Sequence, residues 1–429
     1  MNSETMPRDE LQQLQIERLQ MTLNRAYRNV SFYQKAFDAA AINIEKVRDV
    51  SDIRRLPFTT RDDLAASYPY GMFAVPLRDI VRVHATSGTT GRPITVGYTR
   101  NDIDHWSGLV ARQLIAVGLN EHDVIQIAFN YGLFTGGLGF HYGAERIGAS
   151  VIPASSGRNV REQVMIMRDY KATALLTMPN HAASIANAVE EMGIHPESLQ
   201  LRVGLFGAEP WSETLRGHLE QRLHITAYDS YGLSEIMGPG VAAECKERCG
   251  LHINEDHFIV ELINPATLEP VKTGDEGELV FTTITKEGFP VIRYRTRDLA
   301  RLLPGTCPCG RTTVRMSRVS GRTDDMIILG SAKVFPSQVQ EVLLAVLGVR
   351  PEYRITLDRK NNLDAMELQV AMPESSGFDE IRTLERLQRE IASKLQTEFD
   401  IETKVSFVEA GSLPREAGGK DRPVVDKRR

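Results

Sequence analysis

The chain has 429 residues, 42% hydrophobic and 25% charged, with a net charge of −5 at pH 7. This length fits about two to four domains, and the composition supports a real core and excludes a disordered chain. A mixed, mildly acidic surface argues against nucleic-acid partners; no apolar run approaches membrane-spanning length and MNSETMPRDELQQ lacks the regions of a secretory signal, so the expectation is a cytoplasmic protein, off the membrane, with four reduced cysteines.

The first predicted element is a helix, because Ile16, Leu19, Leu23, Ala26, Tyr27 and Val30 recur at three- and four-residue steps. From Thr99 to about Tyr228 short apolar runs (VIQIAF, VIPA, ATALLT, VGLF, ITAY) alternate with helical stretches, which predicts a largely parallel sheet covered by helices. After about Asp256 the texture turns to β-strands punctuated by Gly and Pro. A polar break, GRTDDM (Gly321 to Met326), precedes a helix with Pro336 near its start, two strands, a long helix from about Phe378 to Phe399, and a strand in TKVSFVEA. The expected fold class is α/β: a large amino-terminal α/β domain, residues 1–321, with a mostly parallel sheet and a β-rich subdomain, then a hinge at 322–325 and a small α+β domain, residues 322–429.

The stretch HATSGTTGRP, His84 to Pro93, crowds hydroxyls and glycines around one cation, Arg92. It fails the Walker pattern, since Gly88 and Gly91 stand too close together and Pro93 follows Arg92. GLGFHYG, Gly137 to Gly143, misses the dinucleotide fingerprint by one residue. A Ser/Thr/Gly loop can still hold phosphate through hydroxyls and backbone N–H groups. Taken alone it reads first as a surface loop.

Its company changes that reading. FGAEPW (Phe206 to Trp211), DSYGLSEIMGPG (Asp229 to Gly240), YRTRDL (Tyr294 to Leu299), GRTDDMI and GSLPREAGGKDRPVVD follow in an order that resembles the adenylate-forming superfamily of acyl-CoA synthetases, luciferases and adenylation domains. YGLFTGGLGFHYGAERIG, SEIMGPGVAAEC, GLHINEDHF and CPCGRT resemble, more closely, the phenylacetate–CoA ligase family. The resemblance runs the length of the chain and implies a mobile carboxy-terminal domain.

The resemblance implies ATP, magnesium and coenzyme A as co-substrates and cofactor. Thr86, Ser87, Gly88, Thr89, Thr90 and Gly91 would hold the β- and γ-phosphates. Glu235 would bind Mg²⁺, a hard cation suited to a carboxylate; without the motif it reads as a surface glutamate. Tyr231, within Asp229, Ser230, Tyr231 and Gly232, would lie against the adenine, with Gly207, Ala208, Glu209 and Pro210 lining the same pocket. Asp298 would accept the ribose hydroxyls, or pair with Arg295 or Arg297, or both. Arg322 would reach phosphate or ribose beside Asp324 at the hinge, and Lys420 would bridge acid and α-phosphate, against the plain reading of a solvated tail lysine. Tyr131, Phe134, Gly136, Phe140 and Met237 would form the acid pocket, although aromatic residues in such a segment also serve as ordinary core.

Cys245, Cys249, His252, Cys307 and Cys309 offer five ligands where zinc takes four. The relatives match Cys245, His252, Cys307 and Cys309, which implies a closed structural zinc site; inert reduced cysteines are the alternative. The resemblance departs at Gly330-Ser331-Ala332-Lys333, where the family has a Gly-Val-Asn-like turn, and the acceptor or acid range is open there. The activity implied is ATP-dependent, AMP-forming ligation of an aromatic acid, phenylacetate first, to coenzyme A. Another aryl acid, a non-CoA acceptor, or a catalytically silent ATP-binding scaffold are the alternatives; the last is disfavoured because Glu235, Asp298 and Lys420 are all present. Dimers are common in the resembled family, so a homodimer is a possible assembly.

Overall fold

Arg8–Asn29 forms one helix, and the face predicted from apolar spacing is the buried one: Leu11, Leu19, Leu23 and Ala26 have no exposed surface. A second helix, Ser31–Ala39, follows at once. In this computed structural model the described residues are 3–86, 92–329, 332–349, 351–360, 363–371, 381–409, 411–413 and 423–428. They divide into two compact units, Met1–Glu209 with Leu219–Val319, and Pro210–His218 with Ser320–Arg429. The change of unit after Val319 lies close to the break expected after Gly321. Nothing in the sequence signalled that Pro210–His218 belongs with the second unit.

In the first unit the five apolar runs form the parallel strands Val124–Ile127, Ser150–Ile152, Ala174–Thr177, Val203–Gly207 and Thr226–Leu233. Strands buried on both faces, such as Ala174–Thr177 and Val203–Gly207, read as unbroken apolar runs; Ser150–Ile152 is the half-exposed edge. The sheet then continues without a break. Gly238–Ala243 pairs antiparallel with Thr226–Leu233, and Leu251–Ile253, Arg315–Met316, Tyr294–Leu303, Glu276–Thr283 and Phe258–Ile263 add successively. The parallel and β-rich regions are therefore one mixed sheet. Helix Arg100–Ala116 starts in a capping box, with Thr99 N and Asp102 N each bonded to the other's side chain at 2.9 and 3.1 Å. That helix and Thr135–Arg146 pack together against Gly238–Ala243.

The amino-terminal segment is sewn to distant sequence. Ser3 Oγ donates to Asp256 at 2.8 Å, Arg8 pairs with Glu255 at 2.5 and 3.0 Å, and Arg311 Nε donates to Glu4 at 2.6 Å. Arg112 adds bonds of 2.9 and 3.0 Å to Asp256. Burial alone would raise the Asp256 carboxyl, but His257, Arg112 and Ser3 outweigh it and hold the group well below the usual carboxylate range.

In the second unit Leu363–Ala371 pairs antiparallel with Tyr353–Lys360 and parallel with Thr403–Val408. A short strand that the sequence reading missed, Val424–Asp426, joins the other edge of Tyr353–Lys360 in parallel. Helices Pro336–Leu347 and Ile381–Phe399 pack on each other over a core of Val339, Leu343, Leu368, Ile391 and Leu395. Among the described residues no helix is long and apolar enough to cross a membrane.

Candidate active site and cysteine cluster

The hydroxyl-rich loop is the connection of a hairpin, Arg82–Ala85 against Thr95–Tyr98. Thr86 closes its neck: Thr86 N donates to Ile94 O and Ile94 N donates to Thr86 Oγ1, both at 3.0 Å. Ser87, Gly88, Thr89, Thr90 and Gly91 lie outside the described residues, as do Gly330, Ser331 and Lys420. His84, just before the neck, is 1% exposed and donates Nδ1–H to Leu133 O at 3.0 Å. Burial pulls its pKa down to about 4.

Two adjacent parallel strands bring the next groups together at their carboxyl ends, where Gly207 stands beside Ser230. That is the edge at which open α/β sheets bind ligands. A Cβ on Gly207 would sit 2.1 Å from Ser230 O, and one on Gly232 would sit 1.9 Å from Gly238 O, so close backbone approach alone requires both glycines. Ala208 takes a left-handed conformation, φ 70°, and so does Arg297, φ 69°, beside Asp298. Non-glycine residues in that region carry local strain, which collects at functional sites. Glu209 turns its carboxylate to the start of helix Pro179–Glu191, accepting from Asn180 N at 2.7 Å and Asn180 Nδ2 at 2.8 Å. Pro210 begins the segment counted with the second unit.

Tyr231 donates its hydroxyl to Asp298 at 2.7 Å and stacks on Phe281 at 6.0 Å. Asp229 faces Arg318 at 3.6 Å, and Ser230 Oγ donates to Gln113 at 3.1 Å. Arg295, one of the two partners weighed for Asp298, instead engages Glu278 at 2.7 and 3.0 Å. In the second unit Arg322 Nε donates to Asp324 at 3.0 Å.

Glu235 sits in the turn between Thr226–Leu233 and Gly238–Ala243, 8% exposed, and no described residue gives its carboxylate a hydrogen bond. Behind the turn lies a residue that the sequence reading missed. Lys286 is fully buried, donates to Ile236 O at 2.8 Å, and lies 4.5 Å from the centre of the Tyr98 ring. Burial pulls its pKa down to about 7 against the opposing charges of Asp102 and Glu235. In the sequence Lys286 stands between Thr285 and Glu287-Gly288 and reads as a solvated turn lysine, so only the fold reveals its burial.

The expected acid pocket divides. Phe140 is buried and stacks on Phe129 at 5.2 Å, and Met237 is wholly enclosed. Tyr131 and Phe134 are partly buried, the Tyr131 hydroxyl lies 3.3 Å from His141 Nδ1, and a Cβ on Gly136 would meet Phe129 and Phe134 at 3.2 Å.

The cysteines converge. The ligand atoms of Cys245, His252, Cys307 and Cys309 all lie within 4.8 Å of one another. Cys245 and Cys307 sulfurs are 3.7 Å apart, and Cys309 Sγ is 3.4 Å from His252 Nε2. Tetrahedral zinc with Zn–S bonds of about 2.3 Å has an S–S edge of roughly 3.8 Å, so the residues fit that ion. His252 Nδ1 meets Thr313 Oγ1 at 3.1 Å, an outer contact that orients a ligating ring. Burial pushes the Cys245 thiol up to about 12, which a cation would reverse. Cys249 stands apart, exposed, its thiol 3.2 Å from Glu247 O.

The family model for AMP-binding enzymes matches residues 12–285, and that for the AMP-binding enzyme carboxy-terminal domain matches 331–428. Phenylacetate–coenzyme A ligase of Escherichia coli is 47% identical over 97% of this chain and 94% of its own. The enzymes of that name from Pseudomonas putida and Thermus thermophilus are 45% and 43% identical over 99% of this chain, and 96% and 98% of theirs. This chain belongs to the phenylacetate–coenzyme A ligase family. It is thus an AMP-forming acid–CoA ligase. Among solved structures, 2-hydroxyisobutyryl-CoA ligase in the postadenylation state with R3-HIB-AMP is similar to this ligase with a TM-score of 0.90, at 26% identity, over 99% of this chain and 91% of that one.

Proposed function

We propose that this ligase takes phenylacetate, or a close aryl acid, as its acid. A carboxylate oxygen of the acid attacks the α-phosphorus of ATP, the bond to the bridging oxygen breaks, and pyrophosphate leaves. The sulfur of coenzyme A then attacks the acyl carbonyl, loses its proton, and AMP leaves. Such chemistry depends on positioning and charge neutralisation. The observation that carries the choice of acid is the near-full-length identity to ligases of that name.

In this reading Thr86 to Gly91 hold the outer phosphates on a hairpin whose neck Thr86 closes. Tyr231 lies against the adenine with Gly207 to Pro210, and Asp298, oriented by the Tyr231 hydroxyl, accepts the ribose. Arg322 and Lys420 serve the phosphates. Glu235 would hold magnesium, which supplies neutralisation of the triphosphate charge; its buried carboxylate, unbonded by any described residue, fits that task. Cys245, His252, Cys307 and Cys309 would hold a structural zinc that ties two loops together. Tyr131 and Phe134 flank the acid, with Gly136 leaving room and Phe140 and Met237 as backing.

The test is pyrophosphate release across arylacetic, benzoic, indoleacetic and aliphatic acids, with and without coenzyme A. Arylacetic acids are expected to give the highest kcat/KM. Equal turnover with acetate or a fatty acid would reject the aromatic assignment, and turnover with an amine in place of coenzyme A would reject the acceptor.

A further inference from the structure

The turn Ser234–Met237 is gripped by buried side chains that the proposed chemistry leaves unused. Lys286 Nζ donates to Ile236 O at 2.8 Å, and the Tyr98 hydroxyl donates to Met237 O at 2.9 Å. The lysine ammonium also lies over the Tyr98 ring at 4.5 Å and the Phe289 ring at 5.4 Å, so the two donors brace each other. Ser234 Oγ is 2.9 Å from Thr135 Oγ1, and the N–H groups of Ile236 and Met237 both bond to Leu233 O. The Ser234 hydroxyl and the backbone groups of Ile236 and Met237 are thus committed, while the Glu235 carboxylate takes no hydrogen bond from a described residue.

A buried ammonium is costly to desolvate, and an apolar side chain of the same volume often serves a core as well or better. Packing therefore does not account for a fully buried lysine with one backbone acceptor. Besides its contacts with two rings and the opposing charges of Asp102 and Glu235, the lysine satisfies a carbonyl adjacent to Glu235. A buried carbonyl left unpaired is destabilising, which favours relaxation of the turn and re-aiming of the carboxylate. Useful groups at reacting centres are held to about 0.5 Å.

We propose that Lys286 and Tyr98 are positioning residues, which clamp the two successive carbonyls after Glu235 and so present its carboxylate in one orientation for adenylation. The proposal rests on the reading of Glu235 given above. Its signature is dependence: once Glu235 cannot act, loss of the clamp has nothing further to remove.

The experiment is a double-mutant cycle in the full chain. Lys286→Met keeps the stem and deletes the donor; Tyr98→Phe deletes one oxygen. Each is made alone and with Glu235→Gln, and acyl-adenylate formation, affinity for ATP with magnesium by calorimetry, and Tm are measured. Lys286→Met is expected to lose on the order of tenfold or more in adenylation and Tyr98→Phe several-fold, the range set by loss of an oriented partner. In the Glu235→Gln background neither should lower rate or affinity further. Losses that multiply with that of Glu235→Gln overturn the proposal, as do single variants that adenylate at the parent rate. If Lys286→Met does not fold, the Tyr98→Phe cycle decides alone. Parent-rate adenylation by Glu235→Gln itself would instead remove the reading of Glu235, and the clamp with it.

Discussion

His84 sets the residue scale. Its Nδ1 is engaged by Leu133 O, while Nε2 is buried without a partner. Burial lowers the pKa to about 4 from a usual value near 6.5, so between those values the unfolded chain binds the extra proton. Stability is full above about pH 6.5 and is lost as pH falls through 4, by on the order of 3 kcal/mol at most for this one group. Tm measured from pH 7 to 4 should therefore decline, and His84→Gln should decline less steeply; equal slopes would assign the acid loss elsewhere. At this scale the sequence was legible where residues sat in ordered motifs. Glu235, Tyr231 and Asp298 stood in such runs, and the fold joins the last two directly. Lys286 and Tyr98 were silent because their role arises from contacts across 50 and 139 positions of chain.

Elements show a different balance. The central parallel strands were readable because burial on both faces leaves an apolar run, the edge strand Ser150–Ile152 only as a short apolar run, and the first helix because one face repeats. The continuity of the mixed sheet was not readable, since pairing between Gly238–Ala243 and its neighbours leaves no local mark. Leu19, fully buried in Arg8–Asn29, tests that packing: Leu19→Ala should cost about 2–5 kcal/mol in chemical denaturation, and a smaller loss would mean that the helix adds little to the core. The cysteine cluster joins residues 245–252 to 307–309 across the same sheet. Purified protein should carry about one zinc per chain. Cys307→Ser should lower zinc content and Tm together. Metal-free protein by elemental analysis would leave four inert thiols.

For the whole molecule, the two units invite a test by half-reaction. Lys420, outside the described residues, follows two glycines in REAGGKDRP. A compact charge on a long stem suits a group that meets the α-phosphate in one step and withdraws in the next. Lys420→Ala should lose on the order of a hundredfold in adenylate formation, yet convert synthetic acyl-adenylate and coenzyme A to thioester near the parent rate. Survival of both steps would make Lys420 a tail residue; failure of both would make it structural.

The stitching of Ser3, Glu4, Arg8 and Arg18 to Glu255, Asp256 and Arg311 bears on how the chain is born. During synthesis the helix Arg8–Asn29 precedes its ionic partners Glu255 and Asp256 by 247 and 238 positions of chain. At about 5–20 residues per second the interval is on the order of tens of seconds. Through that interval the helix can already pack on Ser31–Ala39 and the turns that follow, which share a core cluster with Leu19 and Leu23, so the ionic seam closes after the apolar one.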